Sequence, residues 1–136
     1  MKIPQKILAR QHEITQEYLG LIDEHLEDLL AAKVEDMFEI RDFAEKMHIH
    51  PTHLSNTIKL TTGYAPCYFF ENKIMEVAKG QLLENKLSVA AIARQLTYDP
   101  SNFSKFFKHF EGITPKQYRE AVLAEKYHSK EGVNTI

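Results

Sequence analysis

A shift of 49 residues brings two parts of this chain into register, and this internal repeat restricts the folds that the chain can adopt. The segment 51–66 reads PTHLSNTIKLTTGYAP, and the segment 100–115 reads PSNFSKFFKHFEGITP. Five positions are identical, namely Pro51/Pro100, Ser55/Ser104, Lys59/Lys108, Gly63/Gly112 and Pro66/Pro115. Apolar residues upstream of both segments also coincide at the same shift. The repeat therefore predicts one supersecondary motif that is formed twice.

Each copy contains two helical stretches separated by a three-residue break. The first stretch carries apolar residues at helical spacing, preceded in the second copy by a serine suited to cap a helix. In that copy the residues are Ser88, Val89, Ile92, Ala93 and Leu96. The second stretch begins with a proline and ends near a glycine, which are typical first and last residues of a helix. This pattern predicts a helix-turn-helix unit in each copy, and hence an all-α fold.

A small residue, Ala44 or Ala93, lies in the first helix of each copy, ten residues before a large apolar residue of the second helix. Two helices that cross steeply through a short turn bring their backbones close together, so a larger side chain would force them apart. Large apolar side chains then hold the second helix in place. The spacing predicts that these core residues are Leu54, Ile58, Phe103, Phe106, Phe107 and Phe110.

The opposite face of each second helix is polar, since successive side chains are offset by about 100° around a helix. Hydrogen-bonding and cationic side chains of this kind contact base edges and phosphates in a DNA major groove. A surface helix is usually polar outward, but matched polar faces in two copies favour the functional interpretation. We predict that the DNA-binding residues are Thr52, His53, Ser55, Asn56, Lys59, Ser101, Asn102, Ser104, Lys105 and Lys108.

A third helical stretch, 66–84, lies between the copies and has apolar residues along one face. A helix of that length is roughly 28 Å long. Successive major grooves on one side of a duplex are about 34 Å apart. The stretch is thus predicted to be a linker helix that lets one chain place two reading helices in adjacent grooves.

The second copy resembles the hallmark segment of the AraC/XylS family of bacterial transcription regulators. The resemblance is carried by Ile92-Ala93, Phe103-Ser104-Lys105, Phe107-Lys108 and Gly112-x-Thr114-Pro115-x-x-Tyr118-Arg119. It covers residues 34–123. It implies two helix-turn-helix subdomains joined by a linker helix, which bind asymmetric DNA sites near promoters and often activate RNA polymerase.

The chain departs from this family in three respects. The family usually has a glycine where Thr97 stands, and one more residue in that turn. It often has arginine where this chain has Lys73 and Asn56. Asparagine suits adenine, whereas arginine reads guanine. The large sensor domain of the family has no counterpart here.

An amphipathic helix is predicted from about Gln5 to Ala32, with a broad apolar face that needs a cover. Three alternatives remain open: the helix packs on the double motif, forms a homodimer, or links to a domain that is absent from this chain. The predicted organisation is this helix in residues 1–33, the DNA-binding domain in 34–123 and a polar tail in 124–136.

The charge distribution favours two different functions. The whole chain carries a net charge of −2. Residues 1–50 contain 6 Lys and Arg against 11 Asp and Glu, whereas residues 51–119 contain 9 against 5, a net +4. Positive charge therefore collects around the predicted reading helices, as DNA binding requires. The acidic N-terminal third favours the alternative, a helical protein-interaction module with little DNA affinity.

Other classes of function find little support in the sequence. No acid/base pair, nucleophile arrangement or phosphate loop is recognisable, so neither an enzyme nor a cofactor is predicted. The cluster His48, His50 and His53 matches no standard zinc spacing, and no metal site is predicted. A single cysteine, Cys67, excludes an internal disulfide and suits the bacterial cytoplasm. No apolar run approaches the roughly 20 residues of a membrane span.

Overall fold

The computed structural model describes the backbone of residues 4–134 and the side chains of residues 4–125. In this part of the chain all regular structure is helical, which confirms the predicted all-α fold. The helices are α1 (Gln5–Leu30), α2 (Ile40–Lys46), α3 (Pro51–Thr62), α4 (Pro66–Glu84), α5 (Val89–Gln95), α6 (Pro100–Glu111) and α7 (Pro115–Asn134). The chain divides into two compact units, here called the N-terminal unit (Met1–Ile74) and the C-terminal unit (Met75–Ile136).

The core of the N-terminal unit forms where α1 and α2 pack against α3. The apolar stripe of α1 is buried along most of the helix, at Ile14, Tyr18, Ile22, Leu26 and Leu29. Two hydrogen bonds fix the position of α1 along its axis. The Tyr18 hydroxyl donates to the carbonyl of Pro66 at 3.1 Å, and the hydroxyls of Thr15 and Thr61 lie 2.7 Å apart. Helix α1 is therefore an integral layer of this unit.

A buried histidine joins α1 to the segment that precedes α2. The backbone N–H of Phe38 donates to Nε2 of His25 at 3.0 Å, and the two rings stack with centroids 4.0 Å apart. Phe43 contacts the imidazole edge-on at 5.7 Å. Burial lowers the pKa of His25, so the ring stays neutral and keeps the lone pair that Phe38 needs.

The core of the C-terminal unit lies between α5, α6 and α7. Ile92, Ala93, Phe103 and Phe107 are fully buried, and Phe107 meets the ring of Tyr118 at 5.5 Å. Arg119 on α7 donates to the carbonyls of Leu82 and Leu87, at 3.1 and 2.6 Å. These bonds tie the connection between α4 and α5 to the last helix.

Two of the predicted core residues are not in the core. Phe106 is only half-buried, and Phe110 is 40% exposed. Around α6, Phe106 lies about 80° and Phe110 about 40° from the mean direction of Phe103 and Phe107. A stripe of four phenylalanines is wider than the surface that α5 and α7 cover, so the prediction is wrong for this pair.

The turns of the two helix-turn-helix units share one backbone structure. Thr97 adopts the left-handed conformation with φ 65°, and the equivalent residue of the first unit, His48, has φ 57°. In the second turn the N–H groups of Thr97 and Tyr98 donate to the carbonyls of Arg94 and Ala93, at 3.0 and 2.8 Å. This pair of bonds is the Schellman ending of a helix, and the same pair closes the first turn. Threonine at the glycine position thus keeps the turn but adopts a backbone conformation that costs a β-branched residue energy.

Replacing Thr97 with glycine is expected to stabilise the C-terminal unit by about 0.5–1 kcal/mol. Glycine adopts positive φ without steric cost, which outweighs its larger entropy in the unfolded chain. Urea denaturation measures the change. Thr97→Ala is the matched control, because it removes the exposed side chain and keeps the Cβ atom. Equal effects of the two substitutions would show that the left-handed backbone is not the cause.

The predicted polar tail, residues 124–136, begins within helix α7. Helix α7 continues through residue 124 as far as Asn134, and residues 135–136 lie outside the described part. The first turn of the helix is closed by Thr114 and Gln117, which exchange two backbone-to-side-chain hydrogen bonds of 2.9 and 3.2 Å.

Candidate nucleic-acid interface

Helix α3 is held at both ends by residues of the first repeat. The backbone N–H of Thr52 donates to Nδ1 of His50 at 3.1 Å, so this histidine caps the helix. Pro51 occupies the first turn. At the other end Gly63 takes φ 82°, and its N–H donates to the carbonyl of Lys59 at 2.8 Å. Local sequence therefore defines where α3 begins and ends.

Helix α6 repeats this arrangement in the C-terminal unit. Its N-cap is Asp99, whose carboxylate accepts from the N–H of Ser101 at 3.1 Å. Gly112 takes φ 88°, and its N–H donates to the carbonyl of Lys108 at 2.7 Å. Both helices are 12 residues long, so the repeat seen in the sequence extends to the length and the ends of these helices.

The residues predicted to bind DNA lie on the open face of each helix. On α3 the residues Leu54 and Ile58 point into the core and are fully buried. Ser55 is half-buried at the edge of the open face. The remaining predicted residues of this helix are exposed, namely Thr52, His53, Asn56 and Lys59.

The same division holds on α6. Phe103 and Phe107 are fully buried, and Ser104, the equivalent of Ser55, is half-buried. The remaining predicted residues of α6 are exposed, namely Ser101, Asn102, Lys105 and Lys108. Each unit thus presents one polar helix face, with five predicted residues on each.

The charge on these two faces is positive. Helix α3 contains no acidic residue, and the acidic residue of α6, Glu111, is its last residue and pairs with Lys79 at 2.6 Å. The carboxylate of Asp99, just before α6, accepts from the Ser101 N–H in the cap of this helix. Lys59 and Lys108 lie in the last turn of their helices, where the helix dipole favours a cation. Exposed cations on a face free of carboxylates are suited to phosphate contacts.

One exposed residue of α3 was not among those predicted. Leu60 follows Lys59 and is 57% exposed, the highest value among the large apolar side chains described. It shares a flank of the helix with His53, seven residues earlier. Its equivalent on α6 is the exposed residue His109. The sequence does contain a signal for Leu60, because it is an apolar residue outside the buried stripe of Leu54 and Ile58.

Other types of site were searched for in the described part of the chain. Among the side chains of residues 4–125, no group of three His, Cys, Asp or Glu is arranged to hold a metal ion. None of the described helices is both long and apolar enough to cross a membrane. Cys67 is a free, exposed thiol at the start of α4.

Comparison with known proteins decides the family. Residues 43–121, more than half of the chain, match the helix-turn-helix domain family. The C-terminal domain of AraT, a response regulator from Geobacillus stearothermophilus, has the same fold with a TM-score of 0.69 and 28% identity. That alignment covers 79% of this chain and 84% of the AraT domain. The chain belongs to the AraC-type helix-turn-helix family. This match confirms the family resemblance of the second repeat. Members of this family are DNA-binding domains of transcription regulators and not enzymes.

Two further relatives show how the chain relates to longer regulators. It is 30% identical over 100 residues to YtdP, an uncharacterized HTH-type transcriptional regulator of Bacillus subtilis. The alignment covers 73% of this chain but only 13% of YtdP. The chain spans 13–36% of the length of the B. subtilis regulators that it matches.

The DNA-binding domain of AdpA, solved in complex with a target DNA, has the same fold with a TM-score of 0.61 and 20% identity. The alignment covers 74% of this chain and 95% of the AdpA domain.

Proposed function

We propose that this chain is a sequence-specific DNA-binding module that places α3 and α6 in adjacent major grooves of one duplex. The observation that carries the proposal is the matched pair of open, cationic helix faces, one in each unit. Helix α4, which lies between α3 and α6 in the chain, has 19 residues and is roughly 28 Å long. The AdpA domain, which shares the fold, was crystallised on its target DNA.

The proposed contacts divide into two classes. Lys59, Lys105 and Lys108 neutralise phosphates, which supplies affinity without sequence preference. Asn56 is placed on the open face of α3 and suits adenine in the major groove, because its amide both donates and accepts. Leu60 offers an apolar contact for a thymine methyl group. Serine and threonine hydroxyls near the start of each helix bind either phosphates or bases.

Replacing Lys59 or Lys105 with alanine is expected to weaken DNA binding about tenfold each and to lower the salt dependence of the affinity. When one phosphate contact is lost, DNA binding releases roughly one counterion fewer. The magnitude of the slope of log affinity against log salt therefore falls by about 0.9. Fluorescence anisotropy on a labelled duplex measures both quantities. A duplex selected from a random DNA pool supplies the site and shows its length and asymmetry.

Lys33→Ala is the matched control for these lysine variants. Lys33 is exposed beyond the end of α1, so its removal takes away the same charge outside the proposed interface. The control is expected to change the affinity by less than about twofold, since a distant surface charge is screened within roughly 10 Å at 0.1 M salt. If Lys33→Ala weakens binding as much as the other two substitutions, the assigned faces are wrong.

A second candidate function is a protein-interaction module with little DNA affinity. The observation in its favour is the charge of residues 1–50, which sum to −5. The acidic side chains in residues 1–50 repel the phosphates of any DNA backbone that comes close to them. This alternative predicts no salt-dependent DNA binding at all, so the anisotropy titration distinguishes it from the first proposal.

Three further partners and settings follow from the proposed function. Contact with RNA polymerase is proposed from the family resemblance. Self-association through α1 is proposed from the exposed apolar residues near the start of this helix, Ile7 and Leu8. The bacterial cytoplasm, with the nucleoid as the site of DNA binding, is the proposed compartment.

A further inference from the structure

The internal repeat allows the open faces of α3 and α6 to be compared position by position. Each face has six positions, which are the five predicted to bind DNA and the position of Leu60 or His109. Three positions carry the same chemistry in both copies, namely Thr52/Ser101, Ser55/Ser104 and Lys59/Lys108. The other three carry different side chains, namely His53/Asn102, Asn56/Lys105 and Leu60/His109.

The two groups of positions are separated around the helix. We call the first group the shared strip and the second group the distinct strip. In both strips the second and third residues follow the first by three and seven positions, so each strip runs along one line of the helix. At 100° per residue, each strip is about 60° wide, and the centres of the two strips lie about 100° apart. The differences between the two open faces are therefore confined to one side of each face.

The shared strip suits the sugar-phosphate backbone of DNA. Contacts to this backbone position a protein on the duplex and carry no sequence information. Because the phosphates are the same at every site, two helices that dock in the same way need the same donors. Two hydroxyl groups and one lysine provide such donors on α3 and again on α6.

The distinct strip suits base edges in the major groove. All six of its side chains are exposed in the two units. Asn56 can both donate to and accept from adenine, and Leu60, which is 57% exposed, offers an apolar contact to a thymine methyl group. At the position of Asn56, helix α6 has Lys105, whose ammonium group suits O6 and N7 of guanine. An ammonium group has three donors, so this base contact adds to the phosphate contact proposed for Lys105.

We propose that the distinct strip is the part of each helix that reads bases, and that its different residues give the bound DNA two unlike half-sites. The half-site of α3 contains an adenine that contacts Asn56 and a thymine that contacts Leu60. The half-site of α6 contains a guanine that contacts Lys105. The inference rests on the proposed function and specifies the bases that each helix recognises.

Giving α3 the residue of α6 tests this assignment. Sites are selected from a random DNA pool by the natural chain and by Asn56→Lys. We expect one adenine of the site to become guanine in the variant, with guanine preferred at that position at least about fivefold, the lower end for one bidentate base contact. Competition anisotropy with two duplexes that differ in this base pair measures the preference. Because a preference is a ratio of two affinities, the added positive charge strengthens binding to both duplexes and cancels.

Two further variants complete the test. Lys105→Asn is the reciprocal exchange and is expected to change a guanine of the other half-site to adenine. Lys59→Ala, on the shared strip, is the matched control. It is expected to weaken binding to all duplexes alike and to change the base preferences by less than about twofold. All three substituted positions are exposed, and circular dichroism checks that the helices are retained.

The possible outcomes separate this inference from the proposed function. If the natural chain selects no DNA sequence, the proposed function is overturned, and this inference with it. If the natural chain selects a site whose bases stay the same in Asn56→Lys and Lys105→Asn, only the role of the distinct strip is overturned. A changed base preference in Lys59→Ala also overturns the division into two strips and leaves the proposed function standing.

Discussion

Replacing Phe107 with alanine is expected to lower the free energy of unfolding of the C-terminal unit by about 3–5 kcal/mol, the usual cost of removing a buried aromatic ring. Phe107 is fully buried, lies 6.0 Å from the ring of Phe103 and meets Tyr118 on α7 edge-on. The substitution leaves a cavity between α6 and α7 that neighbouring side chains fill only partly. Because small domains are stable by only about 5–15 kcal/mol, the loss is a large part of the total.

Amide hydrogen exchange followed by mass spectrometry measures this effect unit by unit. Peptides from α5 and α6 are expected to exchange faster in the variant. Phe110→Ala is the matched control, since it removes the same ring from the exposed side of the same helix. Its expected cost is below about 1 kcal/mol, because a surface side chain leaves no cavity. Similar losses in both variants would contradict the assignment of Phe107 to the core and Phe110 to the surface.

Acidification is expected to destabilise the N-terminal unit through His25. Burial is the main cause of the lowered pKa of this residue, and Lys46 acts in the same direction, whereas Asp28 and Asp42 raise the pKa. Because the pKa of His25 is lower in the folded chain, the unfolded chain binds more protons than the folded chain as the pH falls below the ordinary histidine pKa. The contribution of neutral His25 is therefore complete above the ordinary histidine pKa of about 6.5 and is lost as the pH falls below it. Protonation also removes the lone pair that accepts from the Phe38 N–H.

Two substitutions of His25 separate its roles. His25→Ala is expected to cost about 2–4 kcal/mol at neutral pH, because it removes a packed ring and leaves the Phe38 N–H without its acceptor. His25→Gln does not titrate near neutral pH, so stability should fall less between about pH 7.5 and 5.5 than in the natural chain. His53→Gln, at an exposed position of α3, serves as the control and should keep the natural slope. Thermal melts across this pH range provide the measurement, and an unchanged slope in His25→Gln would refute the role of this histidine.

Much of the local structure follows from residues that are close together in the sequence. Pro51 and Pro100 begin the two reading helices, and Gly63 and Gly112 end them in the left-handed conformation. Ser88 was predicted as a cap and accepts from the N–H of Ala91 at 3.1 Å. Histidine is not among the usual capping residues, yet Nδ1 of His50 performs this role on α3. These features involve spans of a few residues, which is why patterns of capping and periodicity predict them.

Burial was harder to predict than helix position. The periodicity of α6 does not show which of its phenylalanines are covered, because that depends on where α5 and α7 lie. The contact of His25 with Phe38 joins residues 13 positions apart through an irregular segment, which no helical pattern describes. Arg119 was recognised in the sequence as part of the family motif. Its hydrogen bonds to the carbonyls of Leu82 and Leu87 became visible only in the folded C-terminal unit. The residues predicted for DNA binding remain a prediction, supported by their exposure.

The repeat, the caps, the paired alanines and the polar faces were determined by the order of residues alone, because each depends on interactions within one or two helical turns. Only the tertiary structure decided that α1 covers α3, that Phe110 on α6 stays partly exposed, and that a neutral histidine holds the segment before α2. These features depend on which distant segments meet. Two copies of one motif can share their hydrogen bonds and still differ in what packs against them.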